Sequence, residues 1–263
     1  MNFARIDGTL LHYRLHGGGQ GPVLVFINSL GTDARIWDEV ISALPTGWRC
    51  LSYDKRGHGL SDAPSGDYRL DDHVSDLIGL LDHAGIGRAV LVGVSIGGLI
   101  AEGLALRAPD RVDGLVLCCT APRMGEPSMW STRIETARRE GLAPLADPIM
   151  ERWFSPRFRA ERPDALSGWR NLFLRTDPEG YANSCATLRD TDLSAAIAAI
   201  AVPTLIVAGD ADLAAPVELV RNNLAIPQAR LEVLPGVGHI PSIEQPVVLA
   251  GLISDFLKEV GHG

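Results

Sequence analysis

Residues 92–98 read Val-Gly-Val-Ser-Ile-Gly-Gly, an apolar strand that runs into a serine between glycines and then into a segment that favours a helix. In a G-x-S-x-G sequence the serine sits on a sharp strand-to-helix turn, where a side chain at either flanking position would collide with neighbouring backbone. The turn exposes the Ser95 hydroxyl and places the Ile96 amide at a helix N-terminus, where it can stabilise an oxyanion. A chain with 28 glycines will sometimes place two of them around a serine by chance. The motif therefore indicates a catalytic serine only if the chain also supplies a base, an acid and a second oxyanion donor.

Residues 23–27 form a continuously apolar, β-branched run, which predicts a strand buried on both faces of a parallel sheet. Comparable runs recur at residues 49–53, 89–94, 114–119, 204–208 and 230–234. The segments that favour helices lie at residues 36–44, 70–84, 96–108, 217–224 and 246–260. An Asp-Gly turn at residues 7–8 predicts an antiparallel hairpin, and a glycine-rich loop at 17–22 follows it. Strands that alternate with helices predict the α/β class, with a mainly parallel, doubly wound sheet.

The alternation stops between residues 121 and 195, where no strand is predicted and helix formers such as residues 131–141 are common. A structureless loop of that length is improbable in a compact domain. We therefore predict a core domain formed by residues 1–121 and 196–263, and an inserted helical cap at residues 122–195. The cap is expected over the C-terminal edge of the sheet, where doubly wound proteins bind ligands.

The composition, with 46% hydrophobic and 21% charged residues, is typical of a globular enzyme. A formal charge of -8 argues against nucleic acid or an anionic membrane surface as a partner. The first residues lack the apolar region of a signal peptide, and no apolar run is long enough to cross a bilayer. Four cysteines without C-x-x-C spacing are typical of a reduced, cytoplasmic protein. The sequence therefore predicts a cytoplasmic protein and leaves its oligomeric state open.

A serine hydroxyl is a weak nucleophile and needs a base, usually a histidine held by a carboxylate. His239 ends a Gly-Val-Gly-His sequence after the last predicted strand, which places it near the C-terminal edge of the sheet, although an ordinary loop histidine would look the same. Strand 204–208 is followed by Gly-Asp-Ala-Asp, in which Asp212 is the preferred acid and Asp210 a candidate turn cap. Serine, acid and histidine then follow the chain order of hydrolases with this serine turn.

The second oxyanion donor is expected in the loop after strand 23–27, where residues 28–31 read Asn-Ser-Leu-Gly. The amide of Leu30 is the candidate, paired with that of Ile96. Ser29 has less backbone freedom than a glycine would have at a tight turn, which bears on the geometry of this loop.

Residues 54–61, Asp-Lys-Arg-Gly-His-Gly-Leu-Ser, contain a second conspicuous histidine. His58 precedes Ser95 and lies in a glycine-rich turn, so a structural role is expected. The chain has no G-x-x-x-x-G-K-[ST], no H-E-x-x-H and no clustered cysteine ligands. We therefore expect no metal and no cofactor.

Together these motifs resemble the α/β-hydrolase superfamily over nearly the whole chain, through residues 28–31, 54–61, 93–97, 209–212 and 238–239. Within it, the chain is similar to the 3-oxoadipate enol-lactonases of the β-ketoadipate pathway of aromatic compound catabolism. That similarity rests on residues 28–33, 152–154, 177–185, 212–216 and 238–241. It implies a serine esterase that hydrolyses a five-membered enol-lactone bearing a carboxylate side arm and releases 3-oxoadipate.

The resemblance also implies roles for the site residues. Ser95 would attack the lactone carbonyl with His239 as base and Asp212 holding the imidazole, in a catalytic triad. The amides of Leu30 and Ile96 would form the oxyanion hole. Water activated by the histidine would then cleave the acyl-enzyme.

An anionic lactone entering a largely apolar pocket needs a cation, because burying an unpaired carboxylate costs several kcal/mol. Arg133 in the predicted cap is the first candidate, with Trp130 and Trp153 as apolar walls. A solvated helix arginine is the alternative interpretation of Arg133.

Two other functions stay open at this point. One is a general carboxylesterase or a hydrolase of carbon–carbon bonds in ring-cleavage products, which would use the same triad. The other is a small-molecule receptor built on a hydrolase fold, against which the complete set of catalytic residue types argues.

Overall fold

The computed structural model describes residues 1–18, 21 and 23–261. Three residues of the predicted loop at 17–22, namely 19, 20 and 22, lie outside that part, as does His262. Eight strands are described: β1 Asn2–Ile6, β2 Thr9–His16, β3 Val23–Ile27, β4 Arg49–Tyr53, β5 Ala89–Val94, β6 Val112–Cys118, β7 Thr204–Gly209 and β8 Ala229–Leu234. The α-helices within the same ranges are α1 Asp38–Ala43, α2 Leu70–His83, α3 Ile96–Arg107, α4 Pro127–Glu140, α5 Ala143–Trp153, α6 Pro156–Glu161, α7 Pro163–Leu174, α8 Pro178–Asp190, α9 Val217–Val220, α10 Pro241–Glu244 and α11 Pro246–Glu259.

The strands form one sheet in the order β1-β2-β4-β3-β5-β6-β7-β8. The β1–β2 and β2–β4 pairs are antiparallel, and all the others are parallel. Residues of β5 and β7 are buried throughout, because helices cover both faces of the sheet. The predicted mainly parallel, doubly wound sheet is therefore confirmed.

The hairpin of β1 and β2 turns at the predicted Asp-Gly pair. Asp7 has a φ of +44° and Gly8 a φ of +89°, as a two-residue turn with both central residues in the left-handed region requires.

Two predicted helices, at residues 36–44 and 217–224, are shorter than expected and appear as α1 and α9. The first is preceded by a 3-10 turn at Ala34–Trp37, which the Asp33 carboxylate caps by accepting a bond from Arg35 N–H at 3.0 Å.

A run of five helices, α4 to α8, occupies residues 127–190 between β6 and β7, and no strand interrupts residues 122–195. Helix α4 packs against α8 and α5, and α5 packs against α7. We call residues 122–195 the helical segment. No helix in the described ranges has the length and apolarity needed to cross a membrane.

The parallel strands place four loops at one edge of the sheet, because their carboxyl ends all lie there. Residues 28–32 follow β3, residues 54–61 follow β4, Ser95 follows β5, and residues 210–216 follow β7. All four cysteines are free and buried. The sheet thus gathers Leu30, Ser95 and Asp212 at its C-terminal edge.

Candidate active site

Ser95 occupies the sharp turn between β5 and α3. Its φ is +58° and its ψ is -124°, a conformation that side-chain-bearing residues rarely adopt and that strained functional turns retain. A Cβ on Gly93 would lie 2.3 Å from the carbonyl carbon of Gly97, and one on Gly97 would lie 2.3 Å from the carbonyl oxygen of Ile27. Both flanking glycines are therefore sterically required.

Hydrogen bonds fix the strained backbone of Ser95 from both sides. Its N–H donates to Cys118 O at 3.0 Å. Its carbonyl oxygen accepts from Thr120 Oγ1 at 2.7 Å and from Gly98 N–H at 2.9 Å. The strain is thus maintained by the end of β6 and by the first turn of α3.

Asp212 and His239 form a buried pair. Asp212 Oδ2 lies 2.8 Å from His239 Nδ1, and Asp212 Oδ1 accepts from the N–H groups of Ala214 at 2.7 Å and Ala215 at 2.9 Å. With Nδ1 donating to the carboxylate, Nε2 of the neutral ring is the acceptor that a base requires. His239 and Ser95 line the same cavity, so the structure brings together all three residues that the sequence selected.

Asp210, the alternative acid, makes a different contact. Its Oδ1 accepts from Gly236 N–H at 2.6 Å, and its side chain lies at the surface. Asp210 therefore caps the turn after β8, and Asp212 is the carboxylate that contacts His239.

The loop that carries His239 is tied to the helical segment at two points. His239 N–H donates to Trp153 O at 2.8 Å. The Glu244 carboxylate accepts from Gly238 N–H at 3.0 Å, from Ser155 N–H at 2.9 Å and from Ser155 Oγ at 2.5 Å. Burial raises the pKa of Glu244, and these hydrogen bonds oppose the rise. The position of the imidazole thus depends on the junction between α5 and α6.

The amides of Leu30 and Ile96 have no hydrogen-bond partner among the described residues, so both are free to bind an oxyanion. Ser29 does not adopt a left-handed conformation, and the left-handed residue of this loop is Gly31, with a φ of +73°. A Cβ on Gly31 would lie 2.8 Å from Cδ2 of Phe173. The glycine that the loop needs therefore stands two residues after Ser29, and the serine causes no strain there.

His58 holds the next peptide group of this loop. Its Nε2 accepts from Gly31 N–H at 2.8 Å, and its Nδ1 lies 3.2 Å from Arg56 O, to which it donates. Burial lowers the pKa of His58 well below its ordinary value, so the ring is neutral at neutral pH. These contacts provide the structural role that the sequence indicated.

Ser95 and His239 open into a cavity of about 80 Å³. Trp130 and Trp153 line it, as predicted for apolar walls, and both are 6% exposed. Cavities that bind drug-sized ligands measure about 300–1,000 Å³. The volume therefore favours a small substrate.

Arg133 and Arg152 bring two positive charges to this cavity. The Arg133 guanidinium lies 4.8 Å from the centre of the Trp130 ring. Burial, and then the nearby charge of Arg133, lower the pKa of Arg152. Neither forms an ion pair with a carboxylate within the described part of the chain. The cavity thus holds an excess of positive charge in a protein that is negative overall.

A larger cavity, of about 430 Å³, lies between β2 and the end of α7. His12, Arg14 and Arg175 contribute to its lining, whereas neither Ser95 nor His239 does. The chemistry of the serine therefore belongs to the smaller cavity.

Cys119, Asp212 and His239 form a group whose potential metal-ligating atoms lie within 4.8 Å of one another. Zinc binds the thiolate form of cysteine, and burial raises the pKa of the Cys119 thiol well above its ordinary value. His239 Nδ1 and Asp212 Oδ2 already satisfy each other. The donor set fits a catalytic pair beside a neutral thiol better than a metal site.

Three residues that contact the site were not selected from the sequence. Arg152 stands next to Trp153 in one of the segments on which the resemblance rests, so its position was an available signal. Lys55 is one of only two lysines among 24 basic residues, an unusual feature in composition. Glu244 gave no signal, because a carboxylate six residues after Gly238 is unremarkable until the loop is folded.

Comparisons with known proteins place the chain among hydrolases. A model of the alpha/beta hydrolase family matches residues 24–252. 3-Oxoadipate enol-lactonase 2 of Acinetobacter baylyi is 35% identical over 94% of this chain and 93% of its own length. The crystal structure of the enol-lactonase from Burkholderia xenovorans has a TM-score of 0.95 and 40% identity, covering 98% of this chain and 100% of its own. A thermophilic esterase from Thermogutta terrifontis, with malate bound, has a TM-score of 0.93 and 29% identity, covering 100% of both chains.

Proposed function

The chain belongs to the alpha/beta hydrolase family, and from this membership and its site we propose that it hydrolyses 3-oxoadipate enol-lactone to 3-oxoadipate. The observation that carries the substrate assignment is the pair of arginines without carboxylate partners in the serine cavity. A neutral ester would leave both partly buried cations without a counter-charge, which is costly. A lactone with a carboxylate arm supplies one negative charge on binding, and ring opening followed by hydrolysis supplies a second.

In the proposed reaction, Ser95 Oγ attacks the lactone carbonyl carbon while His239 Nε2 takes the hydroxyl proton. The negative charge on the carbonyl oxygen is held by the amides of Leu30 and Ile96. Collapse of this intermediate breaks the ring C–O bond and releases the enol oxygen, which takes its proton from the imidazolium. The enol stays attached to the enzyme through the acyl group on the serine.

Deacylation uses the same groups in reverse. His239 takes a proton from a water molecule, whose oxygen attacks the acyl carbon, and the proton passes to Ser95 Oγ as the ester bond breaks. The product leaves as a carboxylate, and its enol tautomerises to the ketone. Because an enolate is a better leaving group than an alkoxide, placement of the substrate carboxylate matters more than protonation of the leaving oxygen.

The helical segment supplies the groups that recognise the substrate in this proposal. Arg133, Trp130, Arg152 and Trp153 all belong to it. We accordingly propose that residues 122–195 act as a cap on a hydrolase core formed by residues 1–121 and 196–263. The names of the relatives support the proposal, since two of those compared are enol-lactonases.

A general esterase is the second candidate, favoured by the similarity to the Thermogutta terrifontis esterase. The two candidates differ in the need for a substrate carboxylate. An esterase would cleave p-nitrophenyl acetate at least as well as the enol-lactone, whereas a lactonase of the proposed kind would prefer the lactone.

The direct test is the loss of enol-lactone absorbance with the wild-type protein beside Ser95→Ala. We expect turnover with the first and none with the second. Activity that survives Ser95→Ala overturns the acyl-enzyme mechanism, and cleavage of p-nitrophenyl acetate without lactone turnover favours the esterase.

The carboxylate contact is tested with Arg133→Ala. A hydrogen bond to a charged group contributes about 1.5–3 kcal/mol, so KM for the lactone should rise about 10- to 100-fold. KM for neutral p-nitrophenyl acetate should change little. Arg139→Ala is the matched control, because Arg139 lies on the same helix but is exposed and paired with Glu135 and Glu140. An equal loss on both substrates with Arg133→Ala contradicts the carboxylate assignment.

A further inference from the structure

Lys55 is buried under the oxyanion loop. Its side chain is 1% exposed, and Nζ lies 2.6 Å from Ser29 O. No carboxylate within the described ranges forms an ion pair with it. A buried ammonium without a paired carboxylate is energetically costly, and burial lowers the pKa of Lys55, with the charges of Asp54 and Asp33 opposing the shift.

The carbonyl that Lys55 contacts accepts an unusual number of hydrogen bonds. Besides Nζ, Ser29 O accepts from Thr32 Oγ1 at 2.9 Å, from Asn28 Nδ2 at 3.2 Å and from Thr32 N–H at 3.3 Å. A carbonyl oxygen has two lone pairs, so four donors crowd one acceptor. Asn28 is itself fixed, because its Oδ1 accepts from Lys55 N–H at 3.3 Å and its Nδ2 donates to Thr32 O.

The crowded carbonyl belongs to the same peptide group as the Leu30 amide. A trans peptide is planar, and its C=O and N–H point in opposite directions. Donors that hold Ser29 O therefore fix the direction of Leu30 N–H on the other side of the plane. They also polarise the group, since hydrogen bonds in a chain strengthen one another.

We propose that Lys55 is a positioning residue for the oxyanion hole, which holds and polarises the Ser29–Leu30 peptide group so that the Leu30 amide donates more strongly to the transition state. This inference rests on the proposed function only in requiring Ser95 as nucleophile and Leu30 as oxyanion donor. It does not depend on which ester or lactone is cleaved. Lys55 acts through the peptide group and does not touch the substrate.

Replacing Lys55 by methionine removes the Nζ donor to Ser29 O and keeps much of the volume. Loss of an oxyanion donor lowers kcat about 10²- to 10³-fold. Lys55 acts only through such a donor, and Thr32 and Asn28 still donate to Ser29 O in the variant. We therefore expect kcat to fall about tenfold. KM should change little, because the contact matters mainly when charge develops on the oxygen. Lys258→Met is the matched control: Lys258 is the other lysine of the chain, exposed and paired with Asp255.

Inhibitor binding separates a positioning role from a structural one. Phenylboronic acid forms a tetrahedral adduct on a nucleophilic serine and places an oxygen in the oxyanion hole, whereas adipate binds without forming that bond. Lys55→Met should weaken phenylboronic acid by about the factor lost in kcat and leave adipate unchanged. The melting temperature should not fall, because methionine replaces a polar amine that is costly to bury.

The proposal is overturned if Lys55→Met leaves both kcat and the affinity for phenylboronic acid unchanged. It is also overturned if the variant loses affinity for phenylboronic acid and adipate equally and has a lower melting temperature. If Lys55→Met does not fold, Thr32→Val, which removes another donor to Ser29 O, must lower kcat and boronic acid affinity together. The assays use p-nitrophenyl acetate as well as the enol-lactone. If the lactone assignment is wrong, the protein cleaves p-nitrophenyl acetate in a reaction that needs Ser95 but does not turn over the lactone. The effect of Lys55→Met is then still measured on the ester.

Discussion

Replacing Glu102 by glutamine should stabilise the folded protein by about 3 kcal/mol near pH 7 without changing its activity. Glu102 lies on α3, is fully buried, and neither carboxylate oxygen has a hydrogen-bond partner in the described part of the chain. Burial raises its pKa from 4.5 to about 8. At neutral pH the folded protein therefore keeps this carboxyl protonated, whereas the unfolded chain ionises it.

The magnitude follows from this difference in proton binding. Below about pH 4.5 both states hold the proton, and the full stability is present. Between about pH 4.5 and 8 only the folded state holds it, so the free energy of unfolding falls by about 1.4 kcal/mol for each pH unit. Two and a half units separate pH 4.5 from pH 7, which gives roughly 3 kcal/mol. Glutamine is neutral at every pH and removes the decline.

The assay is urea unfolding of the wild type and of Glu102→Gln in parallel, at about pH 5, 7 and 8. The stability difference should be below about 1 kcal/mol at the lowest pH and should grow with pH, and the melting temperature of the variant near pH 7 should be roughly 10 °C higher. A difference that does not vary with pH, or a variant less stable than the wild type at every pH, refutes the assignment of Glu102 as a buried neutral acid.

Two further predictions concern the histidine loop. Asp212→Ala should lower kcat about 10⁴-fold because His239 loses the carboxylate that sets its tautomer. Asp210→Ala, the matched control, should keep kcat close to the wild-type value. Steady-state kinetics in which both variants lose activity equally would contradict the assignment of Asp212. Glu244→Ala leaves Gly238 N–H without its acceptor and should cost about 1–3 kcal/mol of stability together with a fall in kcat, measured by thermal unfolding and kinetics. Glu244→Gln keeps one acceptor oxygen and should restore part of the stability and part of kcat. An unchanged kcat in Glu244→Ala would show that the contacts of Glu244 with Gly238 and Ser155 do not position the imidazole.

The sequence predicts the central strands well because they are buried on both faces. The predicted bounds match β3, β4 and β5 residue for residue, since such strands need no partner information to be recognised. The resemblance to the α/β-hydrolase superfamily and to the 3-oxoadipate enol-lactonases is likewise confirmed by the family and relatives that match. The short helices were less predictable, because Asp33 caps a 3-10 turn ahead of α1 and hydrophobic periodicity does not distinguish the two kinds of turn.

The site residues likewise fall into those that the sequence predicts and those that it does not. The order of Ser95, Asp212 and His239 along the chain indicates that they meet, because parallel strands bring their carboxyl ends to one edge. Nothing local indicates that Arg152 and Arg133 line the same cavity, since that depends on how α5 packs against α4. The oxyanion loop shows a similar limit: its left-handed residue is Gly31 and not Ser29, and the close approach of Phe173 to Gly31 appears only in the folded chain.

In the proposed function, the helical segment contributes to both recognition and catalysis. Arg133 lines the cavity from α4, where it can contact a substrate carboxylate, while Trp153 O and Ser155 hold the loop of His239 directly and through Glu244. The junction of α5 and α6 thus carries the contacts to the histidine loop, whereas Arg133 reaches the cavity from α4. In the proposed reaction, substitutions of the residues of α4 that line the cavity should then act mainly on KM. Substitutions at the junction of α5 and α6 should act on kcat.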